Sequence, residues 1–68
     1  MVNKYTLSVR LEKELQKRGM MQKDLAKASG LNNGTISRYL RMQQNATDKS
    51  VQKIADALGV SCEYLGVK

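Results

Sequence analysis

The chain has 68 residues and a formal net charge of +6, from twelve Lys and Arg against six Asp and Glu. This length suits one small domain, and we expect residues 1–68 to form it. The single cysteine precludes an internal disulfide, and the absence of histidine argues against a zinc site and a histidine-based catalytic dyad. No apolar run approaches the roughly 20 residues of a membrane span, and no signal peptide is visible. We therefore expect a cytoplasmic protein with no metal, no cofactor and no membrane partner.

The first predicted helix covers residues 6–18. Its apolar residues recur at every fourth position, which places them on one stripe of a helix. The stripe consists of Leu7, Leu11 and Leu15. Thr6 is a suitable N-cap for this helix. Gly19, directly after a basic residue, is typical of a helix C-terminus.

The second and third predicted helices, residues 21–29 and 33–41, are short and joined by a tight turn. Ala26, Gly30 and Ile36 have the spacing that two closely crossing helices need. Ala26 lets the third helix approach, and Gly30 can adopt the left-handed conformation at the end of the second. Ile36 fills the angle between the two helices. The stretch has the pattern of a helix-turn-helix, which indicates DNA as the partner.

Two further helices are predicted over residues 48–58 and 61–66, with Thr47 and Ser61 as their N-caps. Apolar residues at i, i+3, i+4 and i+7 give the first of these helices a buried stripe, and a glycine ends it. Leu65 of the last helix is expected to turn inward. The prediction is thus an all-α bundle of about five helices without a strand.

The excess positive charge is concentrated in the middle of the chain. Eight of the twelve basic residues, but only two of the six acidic ones, lie between positions 17 and 53. This segment carries the whole net charge, as expected of a face that binds phosphates. The candidate contacts to the DNA backbone within it are Lys23, Lys27, Thr35, Arg41, Gln43 and Gln44.

The third helix separates into two sides on a helical wheel. The mainly apolar side contains Thr35, Ile36, Tyr39 and Leu40, and the polar side contains Asn33, Gly34, Ser37, Arg38 and Arg41. Asparagine can contact adenine at two points, arginine can contact guanine likewise, and serine can contact either base. The polar side is therefore either a base-reading face or an ordinary solvated one, and the motif favours base reading.

Gly34 leaves two interpretations open, because an Asn-Gly pair also favours a turn. Asn32 is the expected N-cap of the third helix. Either the helix begins only at Gly34 or Thr35, or the bare backbone at Gly34 lets the helix N-terminus approach the groove closely.

Beyond this motif, the chain resembles the lambda-repressor/Cro-like family of helix-turn-helix DNA-binding proteins from about Leu11 to Leu65. The likeness is carried by Gln22, Leu25-Ala26, Gly30-Leu31, Thr35-Ile36-Ser37 and the stretch IADALGVSCEYL at 54–65. A lone helix-turn-helix pattern gives false positives, but this tail at this distance makes the match specific. The resemblance implies a sequence-specific, double-stranded DNA-binding regulator without enzymatic activity.

The resemblance also implies roles for individual residues. In the family, the residue at the place of Gln22 opens the first motif helix and contacts a phosphate. The residues that would face the groove and read bases are Asn32, Asn33, Gly34, Ser37 and Arg38. The loop from Arg41 to Asn45 would contact the DNA backbone. Such domains usually bind as dimers on half-sites about 34 Å apart. The candidate dimer surface is the tail, with Tyr64, Val67, Cys62 and Val60, of which Cys62 is more simply explained as an ordinary core residue.

The sequence departs from the family pattern in three places. Met21 stands where a capping Ser or Thr is common, and Ala46 stands where a proline often precedes the fourth helix. Leu15 and Leu40 take the places of an arginine and a glutamate that many members pair. Because replacing both partners of a partly buried ion pair by apolar residues can be neutral, we predict that Leu15 and Leu40 touch.

We therefore expect a repressor of prokaryotic or phage origin that acts as a homodimer by occupying its operator. Two alternatives remain open: the DNA-binding antitoxin or accessory subunit of a two-protein system, and a protein-interaction module without DNA binding. An enzyme is not expected, because no nucleophile is paired with a base and the carboxylates form no evident pair. Three scattered tyrosines make no stacking platform for single strands.

Overall fold

A computed structural model describes residues 2–67. It contains four α-helices, α1 (Lys4–Arg18), α2 (Gln22–Ser29), α3 (Asn33–Leu40) and α4 (Asp48–Leu58). Four of the five predicted helices are present with ends within two residues of those expected, and the all-α fold is confirmed. None of these four helices is long and apolar enough to cross a membrane.

The helices enclose a small aliphatic core to which each of them and the tail contribute. The buried apolar residues are Leu7, Leu11, Leu15, Leu25, Ala26, Ile36, Tyr39, Val51, Ile54, Ala55, Leu58 and Leu65. The predicted leucine stripe of α1 lies entirely in this core, and Leu65 turns inward as expected. Fully burying one such leucine contributes about 1.5–3 kcal/mol, so the core depends on the spacing of a few side chains.

The turn between α2 and α3 has the geometry that its sequence predicts. Ala26 and Ile36 are both buried in the core. Gly30 follows the last residue of α2 and has a φ of 76°, in the left-handed region. A side chain at this φ would be strained. Gly30 therefore ends α2 and lets the chain turn into α3.

α1 begins two residues earlier than predicted, because Asn3 and not Thr6 is its N-cap. Oδ1 of Asn3 accepts hydrogen bonds from the backbone N–H groups of Tyr5 (3.0 Å) and Thr6 (3.2 Å). The Asn3 N–H donates to the carbonyl of Gly66 at 2.9 Å. Both Asn and Thr are good caps, so the sequence alone could not show that the tail fixes Asn3 in this role.

The predicted fifth helix is wrong, since turns occupy residues 62–66 instead. Oγ of Ser61 accepts a hydrogen bond from the Tyr64 N–H at 3.1 Å, as an N-cap would. The next two backbone bonds span three residues rather than four, which is the tighter pattern of short helical turns. Gly66 then takes a φ of 101°, and Val67 forms an isolated antiparallel bridge to the start of the chain. The segment turns away before an α-helix can be established.

Three charged side chains of α1 bind the end of α4 and the segment that follows it. Arg18 donates from Nη2 to the carbonyl of Leu58 (2.5 Å) and from Nε to Oε1 of Glu14 (3.1 Å). Oε2 of Glu14 accepts a hydrogen bond from the hydroxyl of Tyr64 (3.2 Å). Arg10 donates from Nη1 to the Tyr64 carbonyl (2.6 Å), and its guanidinium lies 5.0 Å from the centroid of the Tyr64 ring. The tail is thus attached to α1 by polar as well as apolar contacts.

Glu14 is a carboxylate largely removed from solvent, with its side chain 6% exposed. Burial acts to raise its pKa, but hydrogen bonds from Arg18 and Tyr64 and the charges of Lys17 and Arg18 outweigh that effect. The net result is a pKa below the ordinary value of 4.5. The ionised form of Glu14 is therefore the one that the fold stabilises.

Leu15 and Leu40 lie on the same side of the molecule, between α1 and α3. Leu15 is buried, and Leu40 is half-buried against the core. Both line one shallow pocket of about 440 Å³, together with Met20. Ser8 joins the same two helices by donating from Oγ to the Leu40 carbonyl at 2.6 Å. Neither leucine side chain is fully exposed to solvent, which agrees with apolar residues having replaced the two partners of an ion pair. Direct contact between the two leucines stays a prediction.

Candidate nucleic-acid interface

The outer face of α3 carries the polar side chains that the helical wheel predicts. Asn33 and Arg38 are exposed, and Ser37 is half-buried. On the opposite side, Ile36 and Tyr39 are buried. The apolar side of α3 therefore holds the helix against the core while its polar side faces outward. Contact between this face and DNA stays a prediction.

Gly34 lies inside the first turn of α3, which begins at Asn33. The late-start interpretation is therefore wrong. Asn32 is the N-cap, as predicted, and its Oδ1 accepts a hydrogen bond from the Gly34 N–H at 2.7 Å. A Cβ at position 34 would stand 3.1 Å from that oxygen, closer than an ordinary contact. Glycine at this position leaves room for the capping oxygen.

The start of α2 presents its predicted phosphate contacts to solvent. Gln22 is the first residue of α2, and Gln22, Lys23 and Lys27 are all exposed. Met21 has no side-chain oxygen with which to cap the helix. Instead, the Asp24 carboxylate accepts a hydrogen bond from the Met21 N–H at 3.0 Å. This is one half of a capping box, and it satisfies one backbone donor despite the missing Ser or Thr.

The loop after α3 begins with an unusual backbone conformation at Met42, whose φ is 59°. The Gln43 N–H donates to the Arg38 carbonyl (2.9 Å), and the Met42 N–H donates to the Tyr39 carbonyl (3.2 Å). This is the hydrogen-bond pattern of a Schellman motif, in which glycine usually takes the left-handed position. A methionine gives no such signal, so the sequence did not reveal how α3 ends. The predicted backbone contacts in this loop, all exposed, are Arg41, Gln43, Gln44 and Asn45.

One basic residue of the central segment is engaged elsewhere. The guanidinium of Arg18 is bonded to Glu14 and to the last carbonyl of α4, as described above. Arg18 therefore joins α1 to α4. The count of basic residues between positions 17 and 53 included it in the charge that faces DNA, and its position in the structure does not support that. The exposed cations of the motif itself are Lys23, Lys27, Arg38 and Arg41.

The four candidate dimer residues are half-buried and pack against the core of their own chain; they are Tyr64, Cys62, Val67 and Val60. Tyr64 is held by α1, and Val67 forms the bridge to Val2. Sγ of Cys62 donates a hydrogen bond to Oε1 of Gln52 in α4 at 2.9 Å.

The i, i+4 spacing of Glu14 and Arg18 was a visible signal in the sequence for an ion pair on α1. Its connection to the tail was not visible, because it joins residues 50 positions apart.

The comparisons with known proteins support the same assignment. The model of the helix-turn-helix family matches residues 11–65, which is most of the chain. No match was found among curated proteins or among solved structures. The chain therefore belongs to the helix-turn-helix family of the lambda-repressor/Cro-like type, and the resemblance seen in its sequence is confirmed. Because this is a family of DNA-binding regulators, the chain is in general terms a DNA-binding regulator of transcription.

Within residues 2–67, no cluster of Cys, Asp and Glu side chains has the arrangement of a metal site. The polar groups available on the candidate interface are amides, hydroxyls, guanidinium groups and amines. These groups recognise base edges and phosphate oxygens directly.

Proposed function

We propose that the chain recognises a specific sequence in double-stranded DNA and represses transcription as a homodimer by occupying its operator. In this proposal α3 enters the major groove, which is wide enough to admit an α-helix. The residues that meet base edges come from the set Asn32, Asn33, Gly34, Ser37 and Arg38. The residues that fix the register on phosphates come from the set Gln22, Lys23, Lys27, Thr35, Arg41, Gln43, Gln44 and Asn45.

The observation that carries this proposal is the two-sided character of α3. Ile36 and Tyr39 anchor the helix in the core, and Asn33 and Arg38 project from the opposite side. A helix held in this way presents its polar groups in a fixed geometry, which reading base edges requires. Exposed cations on α2 and in the loop after α3 accompany this face, as expected for contacts that position a protein on the phosphate backbone.

The homodimer in this proposal accounts for how so small a reading face selects a site. One recognition helix contacts only a few base pairs, and two copies on half-sites one helical turn apart double that number. The tail is the proposed contact between the copies, through the accessible parts of Tyr64, Cys62 and Val67. Repression by occupancy needs no activity beyond this binding. The proposed setting is the cytoplasm of a prokaryotic cell, on chromosomal or phage DNA.

Selection of bound fragments from a random pool of double-stranded oligonucleotides tests the proposal. We expect an inverted repeat whose half-sites lie about 34 Å apart. Enrichment of one unrepeated half-site would contradict the dimer, and no enrichment of any sequence would contradict sequence-specific binding. Placing the selected site over a promoter should lower reporter expression when the protein is produced, and a rise would show activation instead.

A further inference from the structure

We infer that the two adjacent asparagines of the interface have different roles. In this assignment, Asn33 alone reads adenine at two points, while Asn32 contacts DNA only as a hydrogen-bond donor. The inference rests on the proposed function, in which α3 enters the major groove, and it adds which of the two side chains determines specificity.

The amide of Asn32 is already committed on one side. Its Oδ1 accepts the hydrogen bond from the Gly34 N–H at 2.7 Å, and a backbone N–H can only donate, so the oxygen and not the nitrogen must face Gly34. What remains for DNA is the NH₂ group, which has two donors and no acceptor. Reading adenine at two points needs both an acceptor for N6 and a donor for N7. Asn32 cannot supply this pair while it caps α3.

The surroundings of Asn32 favour its staying in this orientation. Turning the amide toward a base would leave the Gly34 N–H without its partner at the first turn of α3, where capping by the side chain stabilises the helix. Gly34 also provides the space for the capping oxygen, since a Cβ there would stand 3.1 Å from it. The Asn-Gly pair thus keeps the acceptor of Asn32 turned into the helix.

Asn33 differs from its neighbour in each of these respects. It is the first residue of α3 and is exposed. Within residues 2–67 its side chain makes no hydrogen bond, so both the oxygen and the NH₂ of its amide are available. Asn33 can therefore present the donor and the acceptor that adenine requires. Asn32 is left with acceptor partners, which are a phosphate oxygen, the N7 of a purine, the O6 of guanine or the O4 of thymine.

The test compares Asn32→Asp with Asn33→Asp by selection from the random DNA pool. Both variants add the same negative charge at neighbouring positions, so repulsion from DNA is matched, and both remove the amide donor. For Asn33→Asp we expect an adenine preference of about 5- to 150-fold at one base pair of each half-site to disappear. For Asn32→Asp we expect that same adenine preference to persist. Loss of a guanine or thymine preference in Asn32→Asp would identify that base as the partner of Asn32, and weaker binding with unchanged base preferences is the result expected if its partner is a phosphate.

Two results would overturn the inference. One is loss in Asn32→Asp of the adenine preference that Asn33→Asp removes, and the other is an unchanged set of preferences in Asn33→Asp. If wild-type protein enriches no sequence at all, the proposed function itself is refuted, and that outcome is distinct from either of these. Thermal unfolding provides the control for folding, because aspartate keeps the cap whereas alanine does not. Asn32→Asp should therefore melt at or above the wild-type temperature, and Asn32→Ala below it.

Discussion

Met42 combines a strained backbone with an exposed side chain at the point where α3 passes into the candidate DNA-contacting loop. Its φ of 59° is costly for a residue with a Cβ, and its side chain is 39% exposed, so packing compensates little of that cost. The strain is maintained by the two hydrogen bonds that close α3. By contrast, Gly30 takes a similar φ with no Cβ. The turn between α2 and α3 is therefore built without this strain, whereas the C-terminal end of α3 is built with it.

Replacing Met42 by glycine should stabilise the protein. The left-handed conformation costs a residue with a Cβ about 1–2 kcal/mol, and part of this gain is offset by the greater freedom of glycine in the unfolded chain. We expect Met42→Gly to exceed Met42→Ala by roughly 1 kcal/mol in free energy of unfolding, measured by urea denaturation. Met42→Ala is the matched control, because it removes the same side chain but keeps the Cβ. Equal stabilities for the two variants would show that position 42 carries no strain.

The contact between α1 and the tail is the least local feature of the fold, and two kinds of interaction maintain it. One is the polar row of Arg10, Glu14 and Arg18. The other is the close packing of Gly66 against the first turn of α1. Together they hold the tail across α1, on which α3 also packs through the hydrogen bond from Ser8.

Stability should depend on pH through Glu14. Its pKa in the folded protein lies below the ordinary value of 4.5. Its contribution is therefore fully present above about pH 4.5 and is lost as pH falls through the lowered pKa. Glu14→Gln cannot titrate, so its urea midpoint should fall less than that of the wild type over the same acid range. Parallel curves for the two proteins would show that Glu14 does not contribute in this way.

Substituting Gly66 should be more harmful than substituting Gly59. Both glycines have positive φ, 101° and 69°, so alanine is strained at either position. At Gly66 the new Cβ would also stand 3.0 Å from the Asn3 carbonyl oxygen, whereas at Gly59 it would meet nothing within 4 Å. We expect Gly66→Ala to lose at least about 1 kcal/mol more than Gly59→Ala, because overpacking adds to the backbone strain. A thermal or urea denaturation series decides the order, and the reverse order would contradict the packing argument.

The elements that could be predicted from the sequence are those whose signals are local. The leucine stripe of α1, the caps Asn32 and Thr47 and the left-handed Gly30 all act within a few residues, and each was located correctly. The cap at Asn3 and the turns at 62–66 depend on each other across the whole chain, so local patterns misassigned both. Most of the predicted interface residues are exposed, and Gly34, Thr35 and Ser37 are half-buried. The direction of each polar group within the interface was not predictable from local patterns.

Across the whole molecule, the basic side chains of the central segment fall into two groups that a count of charges in the sequence does not distinguish. Some cations of the central segment are exposed on the helix-turn-helix, including Lys27 on α2. Arg18 is instead turned toward Glu14 and the end of α4. Only the first kind can release counterions from DNA phosphates when the protein binds.

The salt dependence of DNA binding should separate these two kinds of cation. The slope of log affinity against log salt is about −0.9 for each phosphate neutralised on B-DNA. We expect Lys27→Ala to make this slope shallower by about 1 and Arg18→Ala to leave it unchanged, because the guanidinium of Arg18 is bonded to Glu14 and to the Leu58 carbonyl. Fluorescence anisotropy at several salt concentrations measures both, at a temperature where circular dichroism shows each variant folded. Equal changes in slope would place Arg18 on the DNA.

The bridge between Val2 and Val67 has a consequence for when the protein can become active in the cell. Asn3, the residue that starts α1, is held by Gly66 near the other end of the chain. A ribosome releases the start of α1 long before it releases this partner. Until then, α1 lacks the contact that fixes its first turn and the groups that engage Arg10 and Glu14. Completion of the fold therefore awaits synthesis of residues 62–67, and a chain terminated before them would carry the recognition helix on an incomplete support.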